Sequence, residues 1–162
     1  MTQPNQYLID TNIISELRKK STANPGVLQF FQQAVEQSAP LYLSVITIGE
    51  LRRGVDLIRH RGDQHQAELL ETWLQTVLED YTDHILDFTA LEAQVWGKLR
   101  VPNPHNALDK MIAATALTYG LILVTRNVSD FAGTGVPIIN PFESVVSSWL
   151  PTLVPMNNKV LI

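Results

Sequence analysis

The stretch Tyr7-Leu8-Ile9-Asp10-Thr11-Asn12-Ile13-Ile14 passes from one periodicity to another. Residues 7–9 form a short, wholly apolar run, the pattern of a strand buried on both faces. Asp10, Thr11 and Asn12 interrupt it with side chains that hold helix N-termini, and a short helix is predicted over 13–20. A strand that runs straight into a helix is the first half of a strand–helix–strand crossover. The same alternation continues outward. Helices are predicted over 25–37, from 46 onward, and over 65–78, 90–99 and 107–119. Strands are predicted over 41–45, 84–88, 121–124 and 137–139. The expected fold class is therefore α/β, with about five parallel strands as the middle of three α/β/α layers. One domain is expected over 1–143. Residues 144–162, with prolines at 151 and 155, read as a C-terminal extension that docks loosely.

The 162 residues carry a formal net charge of −4 and no cysteine. Disulfides, thiolate metal sites and cysteine nucleophiles are thereby excluded. The net charge argues against a nucleic-acid partner only until it is divided along the chain. Residues 62–97 hold eight acidic side chains and no Lys or Arg, whereas the segments on either side are each at +2. The first residues are polar, with no apolar stretch of signal-peptide kind, and no apolar run reaches the roughly 18 residues of a membrane span. A cytoplasmic protein without membrane contact is the expectation.

Phosphate-loop and serine-elbow signatures are absent. The four histidines lack zinc-ligand spacing. The carboxylates carry more. Asp10 closes the first strand, Glu50 lies early in the helix after the second, Asp109 opens the apolar helix 107–119, and Asp130 comes after the fourth strand. Each is explicable alone as a cap, a dipole partner or a turn residue. Together, if the strands are parallel and adjacent, they converge at one sheet edge, where α/β proteins bind ligands. Carboxylates sharing a cleft repel and raise one another's pKa, and a divalent cation relieves that. An all-oxygen set suits Mg²⁺ or Mn²⁺. Such an ion activates water and neutralises phosphoryl charge, which points to phosphodiester hydrolysis without a protein nucleophile.

Four segments resemble, in order, the motifs of PIN domains of the VapC/FitB type: Ile9-Asp10-Thr11-Asn12-Ile13-Ile14-Ser15-Glu16, Leu43–Gly54 with Glu50, Asp109–Ala116, and Val124–Phe131. The resemblance runs from about Tyr7 to Phe142. It implies a PIN-like α/β/α fold and a metal-dependent endoribonuclease, the toxin of a type II toxin–antitoxin pair. Its acids map to Asp10, Glu50, Asp109 and Asp130. Relatives differ in whether the fourth acid stands at the position of Asn127 or of Asp130, and Asp130 is favoured here. Thr11, Asn12, Ser44, Thr125 and Asn127 become the hydrogen-bonders that orient carboxylates or waters. Arg52, Arg53, Arg59, Lys110 and Arg126 are candidates for the RNA phosphates, although Arg53 is also placed for a helical ion pair with Glu50. The resemblance also implies an antitoxin partner and a homodimer. The alternative reading is a PIN-like module that binds antitoxin or RNA without cutting. Haloacid-dehalogenase and receiver folds fit less well, because Asn12 and Ile9 stand where each needs an acid.

Overall fold

Along the strands, successive side chains alternate between two cores. In a computed structural model, which describes residues 3–143, β1 (Tyr7–Ile9), β2 (Leu41–Ser44), β3 (Ile85–Leu86), β4 (Ile122–Val124) and β5 (Ile138–Ile139) form one sheet. Every pairing is parallel, in the order β3-β2-β1-β4-β5. Tyr7, Ile9, Leu43 and Val124 face one core, with Ile13, Ile14, Phe31, Val55 and Leu74 from the helices above it. Leu8 and Leu123 face the other, against Ile112, Ala113, Ala116 and Phe131. This two-sided burial explains the absence of polar alternation within the strands.

The first face is covered by α1 (Thr11–Glu16), α2 (Pro25–Glu36), α3 (Val45–His60) and α4 (Gln64–Asp80). After β3 the chain returns through α5 (Ala90–Leu99) and α6 (Ala107–Tyr119), and α6 packs on the second face. The return crosses β2 and β1 and delivers β4 to the far side of β1. Strand order therefore reverses between β1 and β4, and the carboxyl ends of those strands frame the crevice of an open α/β sheet.

Two expected boundaries are corrected. The helix predicted over 13–20 ends at Glu16 and tightens into a 3₁₀ segment, Leu17–Thr22. Lys20 there has φ +53, and the Glu16 carboxylate accepts from the Asn24 backbone N–H at 2.9 Å, turning the chain into α2. The strand predicted over 84–88 shrinks to Ile85–Leu86, because a 3₁₀ turn occupies Thr82–His84. The expected extension 144–162 lies outside the described residues. Among the described residues, no helix is long and apolar enough to cross a membrane.

Candidate active site

Asp10 leaves β1 with extended backbone (φ −73, ψ 159), and its N–H continues the ladder to the Val124 carbonyl at 2.9 Å. One carboxylate oxygen caps α1 through the Thr11 N–H at 2.8 Å. The other accepts from the Thr125 hydroxyl at 2.7 Å and from Asn12 Nδ2 at 3.2 Å. The side chain is nearly inaccessible, at 3% exposure. Burial drives its pKa upward, the hydrogen bonds from Thr125, Thr11 and Asn12 pull it back, and the Glu50 charge pushes it up again; the net direction is up.

Thr125, fully buried at the end of β4, uses its whole hydrogen-bonding capacity. Its hydroxyl donates to Asp10 and accepts from Asn12 Nδ2 at 3.3 Å and the Asn127 N–H at 3.0 Å. The Asn12 amide oxygen takes the Arg126 N–H at 3.0 Å, tying the loop after β4 to the start of α1. Ser44 caps α3 by accepting the Ile46 N–H at 3.1 Å. Its hydroxyl thus starts the helix that carries Glu50. The Asn127 side chain is exposed, and its residue meets the site through the backbone N–H.

Glu50, half-buried on α3, accepts the Thr11 hydroxyl. Because that proton points to the carboxylate, the Thr47 hydroxyl, 3.3 Å from Thr11 Oγ1, is the donor in its own bond. Thr47 is completely buried and escaped the sequence reading. It sits in the run Val45-Ile46-Thr47-Ile48, where a β-branched residue looks like core; its spacing of three from Glu50 on one helix was the available signal.

Asp109 lies in the first turn of α6, and Asp130 in the 3₁₀ turn Val128–Phe131. Neither carboxylate has a hydrogen bond or ion pair among the described residues. The Asp109 pKa is pushed up to about 6, first by burial and then by the charges of Asp10, Asp130 and Glu50. The four acids therefore share one field. None of the ion pairs among the described residues involves any of them. No three carboxylates there stand at ready-made metal-ligand spacing, so the arrangement is a convergence of charge, not a closed cage. Asn106, in the left-handed region at φ +54, starts α6 and donates weakly to the Asp130 carbonyl at 3.5 Å, setting the two turns side by side.

The basic candidates divide. Arg52 forks onto Glu71 at 2.7 and 2.6 Å, and Arg59 pairs with Asp56 and, at 2.9 Å, with Glu71. Their charges are matched within the fold. Lys110 is buried, and its ammonium donates to the Asn103 carbonyl at 2.5 Å. Arg53 is exposed without an ion pair among the described residues. Arg126 is exposed over the Phe142 ring at 4.8 Å. Beside Glu50 and Thr11, a groove of about 410 Å³ runs between α1, α3 and α4, past Arg18 and Leu51 to Trp73. Among the described residues, the buried Trp73 indole N–H finds no hydrogen-bond partner.

The sequence model of the PIN domain family matches residues 7–135. The chain belongs to the PIN-domain family. The plasmid stability protein StbB of Pseudomonas syringae pv. tomato is 33% identical over 143 residues, covering 85% of this chain and 99% of StbB. The VapC ribonuclease Y4jK of Sinorhizobium fredii is 33% identical, with 84% of this chain and 97% of Y4jK covered. Toxin FitB of Neisseria gonorrhoeae is 31% identical, covering 84% of this chain and 98% of FitB. The crystal structure of FitAcB from that organism superposes with a TM-score of 0.74 at 30% identity, covering 86% of this chain and 100% of the other. In this PIN-domain chain the motif acids Asp10, Glu50, Asp109 and Asp130 are the four that share the crevice field.

Proposed function

We propose that this chain is a metal-dependent endoribonuclease, the toxin half of a toxin–antitoxin pair, hydrolysing RNA phosphodiesters at the cleft of Asp10, Glu50, Asp109 and Asp130. The observation that carries the reading is the un-neutralised crowding of the four carboxylates, felt most at Asp109. The similarity to a VapC ribonuclease and to toxin FitB supports the substrate class.

A divalent cation fits the residues present. The donors are all oxygens, which favours Mg²⁺ or Mn²⁺, and no basic side chain among the described residues pairs with them. Asp10, Asp109 and Asp130 would hold the ion, with Glu50 either binding a second one or positioning the attacking water. When bound, it supplies charge neutralisation for phosphoryl oxygens and a lowered pKa for water. The remaining work belongs to the chain. Thr125 and Asn12 aim one Asp10 oxygen, and the Thr11 N–H holds the other. The Thr47–Thr11 pair fixes the Glu50 carboxylate. Of the basic candidates, Arg53 and Arg126 are exposed and without an ion pair among the described residues, and would meet the phosphate backbone. The groove beside Glu50 suits a segment of the antitoxin, whose backbone carbonyl would accept the Trp73 N–H; a second copy of the chain is the other partner.

Asp10→Asn tests the assignment. It keeps the helix cap, removes a charge, and is expected to abolish RNA cleavage in Mn²⁺ while leaving the circular dichroism spectrum unchanged. Equal cleavage by wild type and variant, indifferent to chelator, would overturn it. RNA or antitoxin binding without cleavage by wild type would favour the non-catalytic alternative.

A further inference from the structure

We propose that Lys20 is a further RNA-binding residue, its ammonium carried on a strained turn to grip a backbone phosphate of the single strand beside the cleft. The inference rests on the ribonuclease reading above and adds to it a contact outside the four motifs. The segment Leu17–Thr22 carries three consecutive basic side chains, Arg18, Lys19 and Lys20, all exposed. They differ in what they face. The Arg18 guanidinium lies over the Trp73 ring at 5.5 Å, inside the groove beside Glu50. Lys19 donates to the buried Glu16 carboxylate at 2.8 Å. Lys20 has no ion pair among the described residues. Residues 1, 2 and 144–162 contain no acidic side chain to supply one.

The backbone singles out Lys20. Its φ of +53 and ψ of −126 are those of the first corner of a type II′ turn, where glycine is at home and a side chain is crowded. Asn106, at φ +54 and ψ +48, sits instead in the left-handed helical region that Asn tolerates. The Thr22 hydroxyl donates to the Lys19 carbonyl at 2.7 Å and the Ala23 N–H to the Lys20 carbonyl at 3.0 Å, which closes the turn on both sides. A turn that needed only this shape would be better served by glycine. A long basic side chain carried at a strained corner points to work done by that side chain.

The turn is tied to the cleft. From Thr11, which touches Glu50, α1 runs to Glu16, a rise of about 9 Å for its six residues. The Glu16 carboxylate fixes the far end of the segment by accepting from the Asn24 N–H and from Lys19. Burial opposes the Glu16 charge, but those two hydrogen bonds, then the charges of Lys19 and Arg126, hold its pKa below the usual carboxylate range. Arg126 therefore lies within electrostatic reach of Glu16, while its own N–H is bound to Asn12 at the cleft. Positive groups thus run outward from the cleft through Arg126 and Lys19 to Lys20. Glu16 takes up Lys19, which leaves Arg126 and Lys20 as the charge for successive phosphates. That continuity with the cleft favours RNA over an acidic peptide as the occupant.

The strain makes the test clean, because Lys20→Gly removes the charge and suits the turn. Affinity for a single-stranded RNA oligonucleotide is measured on the full chain carrying Asp10→Asn, so that bound RNA stays intact. Adding Lys20→Gly is expected to weaken binding about five- to ten-fold at 50 mM salt and to flatten the slope of log K against log salt by about 0.7, the loss of one phosphate contact. Its melting temperature should be no lower than the parent's, since glycine adopts this φ freely. Lys20→Arg should retain both affinity and slope. Equal affinity and slope for Lys20→Gly and its parent, while wild type cleaves RNA, overturn the role of Lys20 and leave the ribonuclease reading standing. An equal loss in Lys20→Arg overturns it as well. Weakened binding of poly-aspartate with RNA binding intact would assign the turn to an acidic protein segment instead. A wild type that neither binds nor cleaves RNA sinks the ribonuclease reading itself, and this inference with it.

Discussion

Asp109 carries a carboxyl group whose pKa is raised to about 6, since burial and then the charges of Asp10, Asp130 and Glu50 oppose its ionisation. A folded-state pKa above the unfolded value of 3.8 means that the native protein binds more protons in between. This contribution to stability is full below about pH 4 and is lost as pH rises through 6. Metal-free Asp109→Asn is therefore expected to melt higher than metal-free wild type at pH 7.5, with the gain vanishing at pH 4. Mn²⁺ should raise the melting temperature of wild type, increasingly as pH climbs past 6, and leave the variant nearly unmoved. Thr47 supports the site from behind. Thr47→Val removes the donor to Thr11, and RNA cleavage is expected to fall about five-fold, the size of one net hydrogen bond of about 1 kcal/mol. Thr47→Ser should retain activity; equal losses in both would assign Thr47 to packing alone. Asp10 and Asp109 were readable because one stands where a strand ends and the other in the first turn of a helix, positions with a local signature. Thr47 was not, since its role depends on a hydroxyl across the α1–α3 interface, 36 residues away in sequence. The pairing of Arg52 was equally hidden: its partner Glu71 is 19 residues on, in another helix.

That pairing belongs to the scale of elements. Glu71 on α4 receives both Arg52 and Arg59 of α3, clamping two antiparallel helices whose apolar sides meet at Val55, Leu70 and Leu74. Arg52 first, then Arg59, hold the Glu71 carboxyl down to about 2, against an ordinary 4.5. A depressed carboxylate pKa stabilises the fold above the unfolded value and loses that effect as pH falls towards 2. The urea midpoint of wild type is thus expected to exceed that of Glu71→Gln at pH 7, with the gap closing between pH 4.5 and 2 and narrowing in high salt. A gap unaffected by pH would mean that packing, not charge, is lost. Helix periodicity placed α2 and α4 nearly to their ends because each buries one continuous stripe. The short elements were less legible. Hydrogen bonding between strands sets β3 at two residues, and the Glu16–Asn24 bond ends α1, and neither leaves a mark in the local pattern.

At the scale of the whole molecule, charge is distributed against the proposed substrate. Six of the acids in residues 62–97 (Asp63, Glu68, Glu79, Asp80, Asp83 and Asp87) are exposed, while Arg52 and Arg59 are neutralised and Lys110 is buried. RNA meets a repulsive α4 flank, and two of the five basic candidates, Arg52 and Arg59, are tied up in ion pairs. Two consequences are measurable. The dependence of RNA affinity on salt should be shallow: for about two or three phosphate contacts on a single strand, the slope of log K against log salt is about −2. Relieving the flank should speed encounter without touching the site. The triple variant Glu79→Gln, Asp80→Asn, Asp83→Asn is expected to raise the association rate for RNA about two- to five-fold at low ionic strength, because long-range fields act on encounter. The gain should disappear near 0.3 M salt, where the screening length falls to about 6 Å. The single-turnover cleavage rate of bound RNA should stay at the wild-type value throughout, because these acids sit outside the cleft of Asp10, Glu50, Asp109 and Asp130. An unchanged association rate at low salt would show that RNA approaches from a side the acidic flank does not overlook.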